Sequence, residues 1–185
     1  MTARHLILLL LNKLGGTIDG KTKLHKELYF LSMKLNLDLD FRPHHYGPYS
    51  IKAEQGIDEL SGAGFIKITE YIFGYDTRSG FEMKRYHIDL LDSGKRLAKL
   101  LEQRYQKEVI EITKFIEKIK EAGDPDYLIL SIAAKTYYIL NKEGRSMKRE
   151  EICNEAKKFD WQINSENIEN AIKVLQNLDL VTTAS

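Results

Sequence analysis

The chain has a single cysteine, Cys153, among its 185 residues. One thiol cannot close an internal disulfide, so a disulfide-stapled fold is excluded and a reducing compartment is expected. Long apolar runs are also lacking. The run at residues 6–11 is far shorter than the ~18 residues of a membrane span, and no small-residue cleavage site follows it. The sequence therefore predicts a cytoplasmic protein that makes no contact with a membrane.

Charge of one sign is scarce as well. The formal net charge is +1 at pH 7, so no overall basic field indicates nucleic acid. Residues 1–105 carry 16 Lys and Arg against 13 Asp and Glu, so any nucleic-acid role needs a local patch in this part of the chain. The hydrophobic content of 43% and the charged content of 30% indicate a folded globular core.

Motifs for catalysis, metals and phosphates do not stand out either. The five histidines include one close pair, His44 and His45, and neighbours in an extended segment point to opposite sides, whereas metal ligands must converge. Residues 15–22, GGTIDGKT, match the spacing of a P-loop, but the preceding segment has a helical pattern where a P-loop needs a strand. We predict no enzyme, no metal and no cofactor.

What is present is a clear order of elements in the first half. A helix is predicted over Ala3–Leu14, where a Gly-Gly pair ends it, and a second helix begins near Lys21. The alternation in LDLDF, residues 37–41, suits an extended segment, and Ser50 is placed to cap a third helix. Residues 65–90 predict two strands joined by a polar, glycine-flanked loop, which is a β-hairpin.

Residues 41–50, FRPHHYGPYS, are predicted to form a stiff connector between the second and third helices. Pro43 and Pro48 keep the residues before them out of the helical region, and Gly47 permits a turn. We expect Tyr46 and Tyr49 to pack against the helical core. The connector would then aim the third helix.

The second half is predicted to be helical. Residues 97–123 indicate a long connecting helix, continuous or briefly broken, with a narrow apolar seam of coiled-coil spacing formed by Tyr105, Val109, Ile112, Ile116 and Ile119. Packing along the same chain and a homodimer seam both explain this pattern. Residues 124–185 predict three helices that form a wingless helix-turn-helix-like domain.

The order of elements over residues 1–96 is that of a winged helix-turn-helix domain. The predicted fold class is therefore mainly α with a small β-hairpin: a winged helix-turn-helix, a long helix and a three-helix C-terminal domain. In winged helix proteins the third helix usually enters the major groove and the hairpin lies beside the phosphates. The leading hypothesis is a regulator that binds double-stranded DNA, with its candidate contacts at Lys23, Lys52, Gln55, Arg78, Lys84 and Arg85.

These candidates have different expected roles. Lys52 and Gln55 would probe base edges and the others would hold phosphates, while His44 and His45 are further candidate contacts at the edge of that surface. Three acidic residues on the third helix would face phosphates badly. The alternative hypothesis is a protein-interaction module, antitoxin-like or adaptor-like, that uses the same scaffold without sequence-specific DNA binding.

Several stretches resemble a known family. KTKLHKELYFL, FRPHHYGPYS and GFIKI resemble the YwgA-like family of uncharacterised prokaryotic winged helix proteins, and YLILSIAAKTYYIL and AKKFDW resemble its C-terminal region. More distantly, the lysine-leucine helix and the Gly-Pro turn are similar to Panacea-domain antitoxins. The first resemblance covers most of the chain and implies a winged helix fold without catalytic residues. The second implies that a protein partner is an option.

Overall fold

The structure, a computed structural model, describes residues 1–75 and 82–182. The described residues form eight helices and one three-stranded antiparallel sheet, so the prediction of a mainly helical fold with a small β-hairpin is confirmed. The elements in chain order are α1 (Ala3–Lys13), β1 (Thr17–Asp19), α2 (Lys21–Lys34), α3 (Ile51–Gly62), β2 (Ile66–Tyr75), β3 (Glu82–Leu90), α4 (Asp92–Arg104), α5 (Gln106–Glu121), α6 (Tyr127–Glu143), α7 (Arg149–Lys157) and α8 (Ser165–Asn177).

The sheet has the strand order β1-β3-β2. Strands β2 and β3 form the predicted hairpin, which pairs from Ile66 opposite Leu90 outward to the far end of both strands. The three-residue strand β1 adds to the free edge of β3 and places Ile18 opposite Ile88. Because both of these isoleucines are buried, the base of the hairpin is fixed to the helical core.

The apolar run of residues 6–11 lies at the centre of that core. All six of its side chains are buried, because α1 packs against α3 and α4 on different sides. A helix that is apolar all round is buried all round. Among the described residues, no helix is long and apolar enough to cross a bilayer.

Helix α3 begins where the sequence places its cap. The hydroxyl of Ser50 accepts a hydrogen bond from the backbone N–H of Ala53 at 3.0 Å, and it donates to the carbonyl of Leu39. The segment before it departs from the predicted extended form at Asp40, whose φ is 51°. A short aspartate side chain tolerates this left-handed conformation, and the Asp40 N–H donates to the Asp38 carboxylate at 3.0 Å.

The connecting region is two helices rather than one long helix. Helix α4 ends at Arg104 and α5 begins at Gln106, because Tyr105 has a non-helical backbone. Its hydroxyl lies 3.2 Å from Nδ1 of His5, which fastens the break to the start of α1. The predicted seam faces inward: Ile112 and Ile119 are buried in the core of the same chain. The buried part of the seam is covered by the same chain, and a homodimer stays a prediction.

The larger of two hydrophobic clusters among the described residues joins all three predicted ranges. It includes the buried face of α1 and α2 together with Leu130 of α6 and Leu175 and Leu178 of α8. A smaller cluster surrounds Trp161, just after α7. Since α2 packs on α6, the connector between α2 and α3 runs close to the C-terminal helices.

Candidate functional site

Residues 42–49 form a small hairpin of their own, here called the 42–49 hairpin. Arg42 and Tyr49 exchange two backbone hydrogen bonds of 2.9 Å, and His44 and Gly47 exchange two more of 3.2 and 2.9 Å. Two residues, His45 and Tyr46, make its tip. The turn closes at Gly47, whose φ of 98° lies in the region that favours glycine. The connector predicted from the sequence is therefore a defined structural unit.

Two distant side chains hold the backbone of this hairpin. The ammonium of Lys26, on α2, donates to the carbonyl of Pro48 at 2.8 Å inside the protein. The indole N–H of Trp161 donates to the carbonyl of His44 at 2.7 Å. The buried carbonyl of Pro48 needs a partner, which Lys26 supplies, and the carbonyl of His44 accepts from Trp161 in addition to Gly47. The hairpin is thus fastened to α2 and to the C-terminal region at once.

A second set of contacts ties the hairpin to α3. The ring of Tyr49 stacks on that of His25 with centroids 4.8 Å apart. Nε2 of His25 lies 2.9 Å from one oxygen of Glu54, and Nζ of Lys21 lies 2.7 Å from the other. The hydrogen bonds from His25 and Lys21 lower the pKa of Glu54 to about 2. Glu54 therefore carries its charge at neutral pH and joins α2 to α3.

Lys26 is buried, and the hydrogen bond of its ammonium is with the carbonyl of Pro48. Burial, helped by the nearby charge of Lys135, lowers the pKa of Lys26 to about 7. A Cβ added to Gly47 would lie 3.1 Å from Cγ of Lys135 and 3.5 Å from Nζ of Lys26. The turn is therefore packed against two lysines, and a Cβ at position 47 would crowd the side chain of Lys135.

Replacing Gly47 by alanine is expected to lower the free energy of unfolding by about 2 kcal/mol, because a Cβ adds left-handed backbone strain to crowding against Lys135. The matched control is Gly62→Ala in the last turn of α3. Gly62 has open space around it and no positive φ, so alanine should raise stability by about 0.5–1 kcal/mol. Urea unfolding of both variants measures the difference. Equal stability of the two variants would show that the hairpin is not packed this way.

The tip of the 42–49 hairpin points into solvent. Tyr46 is 62% exposed, so the prediction that it packs against the core is wrong, because the tight turn directs its side chain outward. The prediction for Tyr49 is confirmed by its stacking on His25. The rings of His45 and Tyr46 meet edge to face at 4.9 Å. Ile51, at the start of α3 and two residues after Tyr49, is 66% exposed.

Helix α3 carries more acid than base on its outer face. Lys52 is exposed, but its ammonium lies 3.7 Å from the carboxylate of Asp38. Lys52 and Gln55 line one shallow cleft, together with Glu59. Glu59 pairs with Arg4 at 2.9 Å, and Asp58 lies 3.9 Å from Lys21. Lys52 and Gln55, the two predicted base contacts, therefore lie close to the carboxylates of Asp38 and Glu59.

The remaining DNA candidates lie on other elements. The ammonium of Lys23, on α2, lies 2.8 Å from the carboxylate of Asp124. On β3, Lys84 pairs with Glu70 at 2.8 Å, and Arg85 is its neighbour, which faces the other side of the strand. Arg78 lies outside the described residues. The candidates thus sit on α2, α3 and β3 rather than in one cluster.

The side chains that anchor the 42–49 hairpin from other elements were not assigned this role from the sequence. His25 and Lys26 lie between Leu24 and Leu28 in a helix that is buried on most sides, and Glu54 resembled an ordinary surface acid. The available signal was two polar residues inside the apolar part of α2. Their partners could not be read, because Trp161 is 117 positions from His44.

Comparison with known proteins assigns no role to the site. No protein-family model and no curated protein matches the chain. The resemblance to the YwgA-like family therefore stays a prediction. Among residues 1–75 and 82–182, no three His, Cys, Asp or Glu side chains are grouped so that they could hold a metal ion.

Proposed function

We propose that this chain is a protein-interaction module that presents the tip of the 42–49 hairpin to a protein partner. The observation that carries the proposal is an exposed aromatic tip on a rigidly anchored turn. Tyr46 and Ile51 are mostly exposed, so they gain little burial energy on folding. Holding the turn requires burial of the Lys26 ammonium, which costs stability. A binding role for the fixed tip would explain why the fold retains this destabilising lysine.

The chemistry of the tip suits a protein surface. Aromatic side chains are enriched at the centres of interfaces, where they bury large areas with few rotatable bonds. Tyr46 and Ile51 would supply that centre, and exposed Arg42 and Lys52 would supply a polar rim. Because the hairpin is already ordered by four backbone hydrogen bonds, binding would lose little backbone entropy.

The scaffold and its charges support a protein ligand over DNA. The element order, with β1 added to the β2–β3 hairpin, supports a winged helix arrangement for residues 1–96. In that arrangement α3 would face the major groove. Its exposed face offers Lys52 against Asp58 and Glu59, which favours repulsion of phosphates. An adaptor-like or antitoxin-like role on this scaffold agrees better with these charges.

A photo-crosslinking amino acid at position 46 should capture one discrete protein in cells that encode this chain. The matched control is position 127, where Tyr127 is 50% exposed on α6 and lies far along the chain from the hairpin. With the captured protein purified, Tyr46→Ala should weaken binding by about tenfold or more, as expected for a hot-spot aromatic. Tyr127→Ala should leave the affinity unchanged. Equal capture at both positions would overturn the proposal, and so would an adduct between two copies of this chain.

Titration of a random duplex of about 20 base pairs tests the DNA hypothesis directly. A regulator that uses about four phosphate contacts gives a slope of roughly −3 to −4 in log K against log salt. We expect no saturable binding in fluorescence anisotropy at low salt. Saturable binding with such a slope, reduced by Lys52→Ala, would contradict the protein-interaction proposal and favour DNA.

A further inference from the structure

A cleft of about 590 Å³ opens beside the 42–49 hairpin, between the end of α2, residues 36–41 and α6. This volume lies in the range of sites that hold a small molecule or a long side chain. Neither the 42–49 hairpin nor α3 forms its walls. The residues that matter here are Tyr29, Asp38, Asp40, Phe41, Tyr138 and Asn141.

The walls of the cleft are aromatic and include a hydroxyl without a protein partner. The rings of Tyr29 and Phe41 meet edge to face at 5.1 Å, and Tyr138 stands on the α6 side. Tyr29 is only 2% exposed. No hydrogen bond among the described residues uses its hydroxyl, which is not one of the fully buried unpartnered atoms and therefore opens onto the cleft. A ligand that donates hydrogen bonds would satisfy this oxygen.

The charged residues that line the cleft are both acids. Asp38 and Asp40 are held together by the bond from the Asp40 N–H to the Asp38 carboxylate. Their own cations are Lys52 at 3.7 Å and Arg42 at 3.0 Å, both on exposed side chains. Exposed pairs of this kind contribute roughly 0–1 kcal/mol, so an incoming cation can replace them. The charge of the lining therefore selects a cationic ligand.

We propose that this cleft binds a guanidinium group, namely an arginine side chain of the protein partner. A planar guanidinium stacks on aromatic rings and donates in a fork to carboxylates, which matches the walls and the two acids. Its five N–H groups can also reach the Tyr29 hydroxyl and the amide oxygen of Asn141. The inference rests on the proposed function, because it names the residue that the partner inserts into the cleft next to the 42–49 hairpin.

The test is a titration of the full chain with N-acetyl-arginine amide, followed by the aromatic NMR signals. We expect saturable shifts of Tyr29, Phe41 and Tyr138 with a dissociation constant on the order of millimolar, as for a few contacts by a small ligand. The citrulline analogue has the same shape without the charge and should bind about tenfold more weakly. Asp40→Asn, which keeps the left-handed backbone accessible, should weaken arginine binding by about fivefold or more.

Asp58→Asn is the matched control, because Asp58 is an exposed aspartate on α3 outside the cleft. It should leave the affinity for arginine amide unchanged. Equal binding of arginine and citrulline, or shifts confined to other surfaces, would overturn the cleft assignment. Capture of a partner at position 46 without arginine binding would also overturn it and leave the proposed function standing. Arginine binding without any capture at position 46 would overturn the partner-derived arginine together with the proposed function.

Discussion

Replacing Trp161 by alanine lowers the free energy of unfolding by about 4 kcal/mol, the range expected for removal of a buried tryptophan. Trp161 is among the largest fully buried side chains of the protein. Its ring packs with those of Phe159 at 4.8 Å and Tyr138 at 5.8 Å and joins the isoleucines of the smaller core cluster. Alanine would leave a cavity at the centre of that cluster.

Trp161→Ala should also loosen the 42–49 hairpin. The carbonyl of His44 loses the hydrogen bond of 2.7 Å from the indole N–H. The hairpin backbone then keeps one of its two side-chain donors. Amide hydrogen exchange at Gly47 and Tyr49 should therefore become faster than the loss of global stability alone explains. The anchor provided by Lys26 remains. Binding of the partner should weaken because the tip is less ordered before it binds.

Trp161→Phe separates packing from the hydrogen bond. Phenylalanine keeps an aromatic ring against Phe159 and Tyr138 but cannot donate, so we expect a loss of about 1–3 kcal/mol. Urea unfolding followed by circular dichroism measures both variants, since Trp161 is the one tryptophan of the chain. Loss of less than about 1 kcal/mol in the alanine variant, or unchanged exchange in the hairpin, would show that Trp161 does not hold the site.

Local signals made much of the fold predictable. Ser50 caps α3 as expected because a cap is specified by residues within one helical turn, and the β2–β3 hairpin follows from strand-forming residues around a polar loop. The break at Tyr105 was not fixed by the sequence, because the contact that fastens it is with His5, 100 positions away. Periodicity does not report such contacts.

The site was less predictable than the fold for the same reason. Lys23 was a DNA candidate by its type, yet its ammonium pairs with Asp124, 101 positions away. Tyr46 was expected inside because aromatic residues usually are, yet the two-residue turn leaves it outside. Whether a charge is free or paired, and whether a ring is buried, depends on the tertiary structure. A single sequence does not contain that information in readable form.

Glu27→Gln should change how stability depends on pH more than any other substitution considered. Glu27 lies on α2 and is 1% exposed, and neither of its carboxylate oxygens has a hydrogen-bond partner among the described residues. Burial raises the pKa of Glu27 from 4.5 to about 7, while the nearby charge of Lys23 opposes the shift and that of Asp124 adds to it. The carboxyl is therefore protonated in the folded protein at mildly acidic pH.

The sign follows from proton binding. Because the pKa of Glu27 is higher in the folded state, the folded protein binds more protons between pH 4.5 and about 7, and its stability falls as pH rises through this window. At 1.36 kcal/mol for each pKa unit, the loss is about 3 kcal/mol and is complete above about pH 7. Lys26 contributes in a different window. Its pKa is lowered from 10.5 to about 7, so its penalty is relieved only as pH rises above 7.

Glutamine does not titrate, so Glu27→Gln removes this pH-dependent part. The free energy of unfolding of the variant minus that of the parent should rise by about 3 kcal/mol from pH 4 to pH 8. Urea unfolding of both proteins across that range measures this difference. An unpaired buried amide adds a penalty, but that penalty is the same at every pH and cancels in the comparison. Glu117→Gln, on the exposed side of α5, is the control and should show no such trend. A difference between Glu27→Gln and parent that stays constant with pH would mean that Glu27 is already charged and solvated in the folded protein.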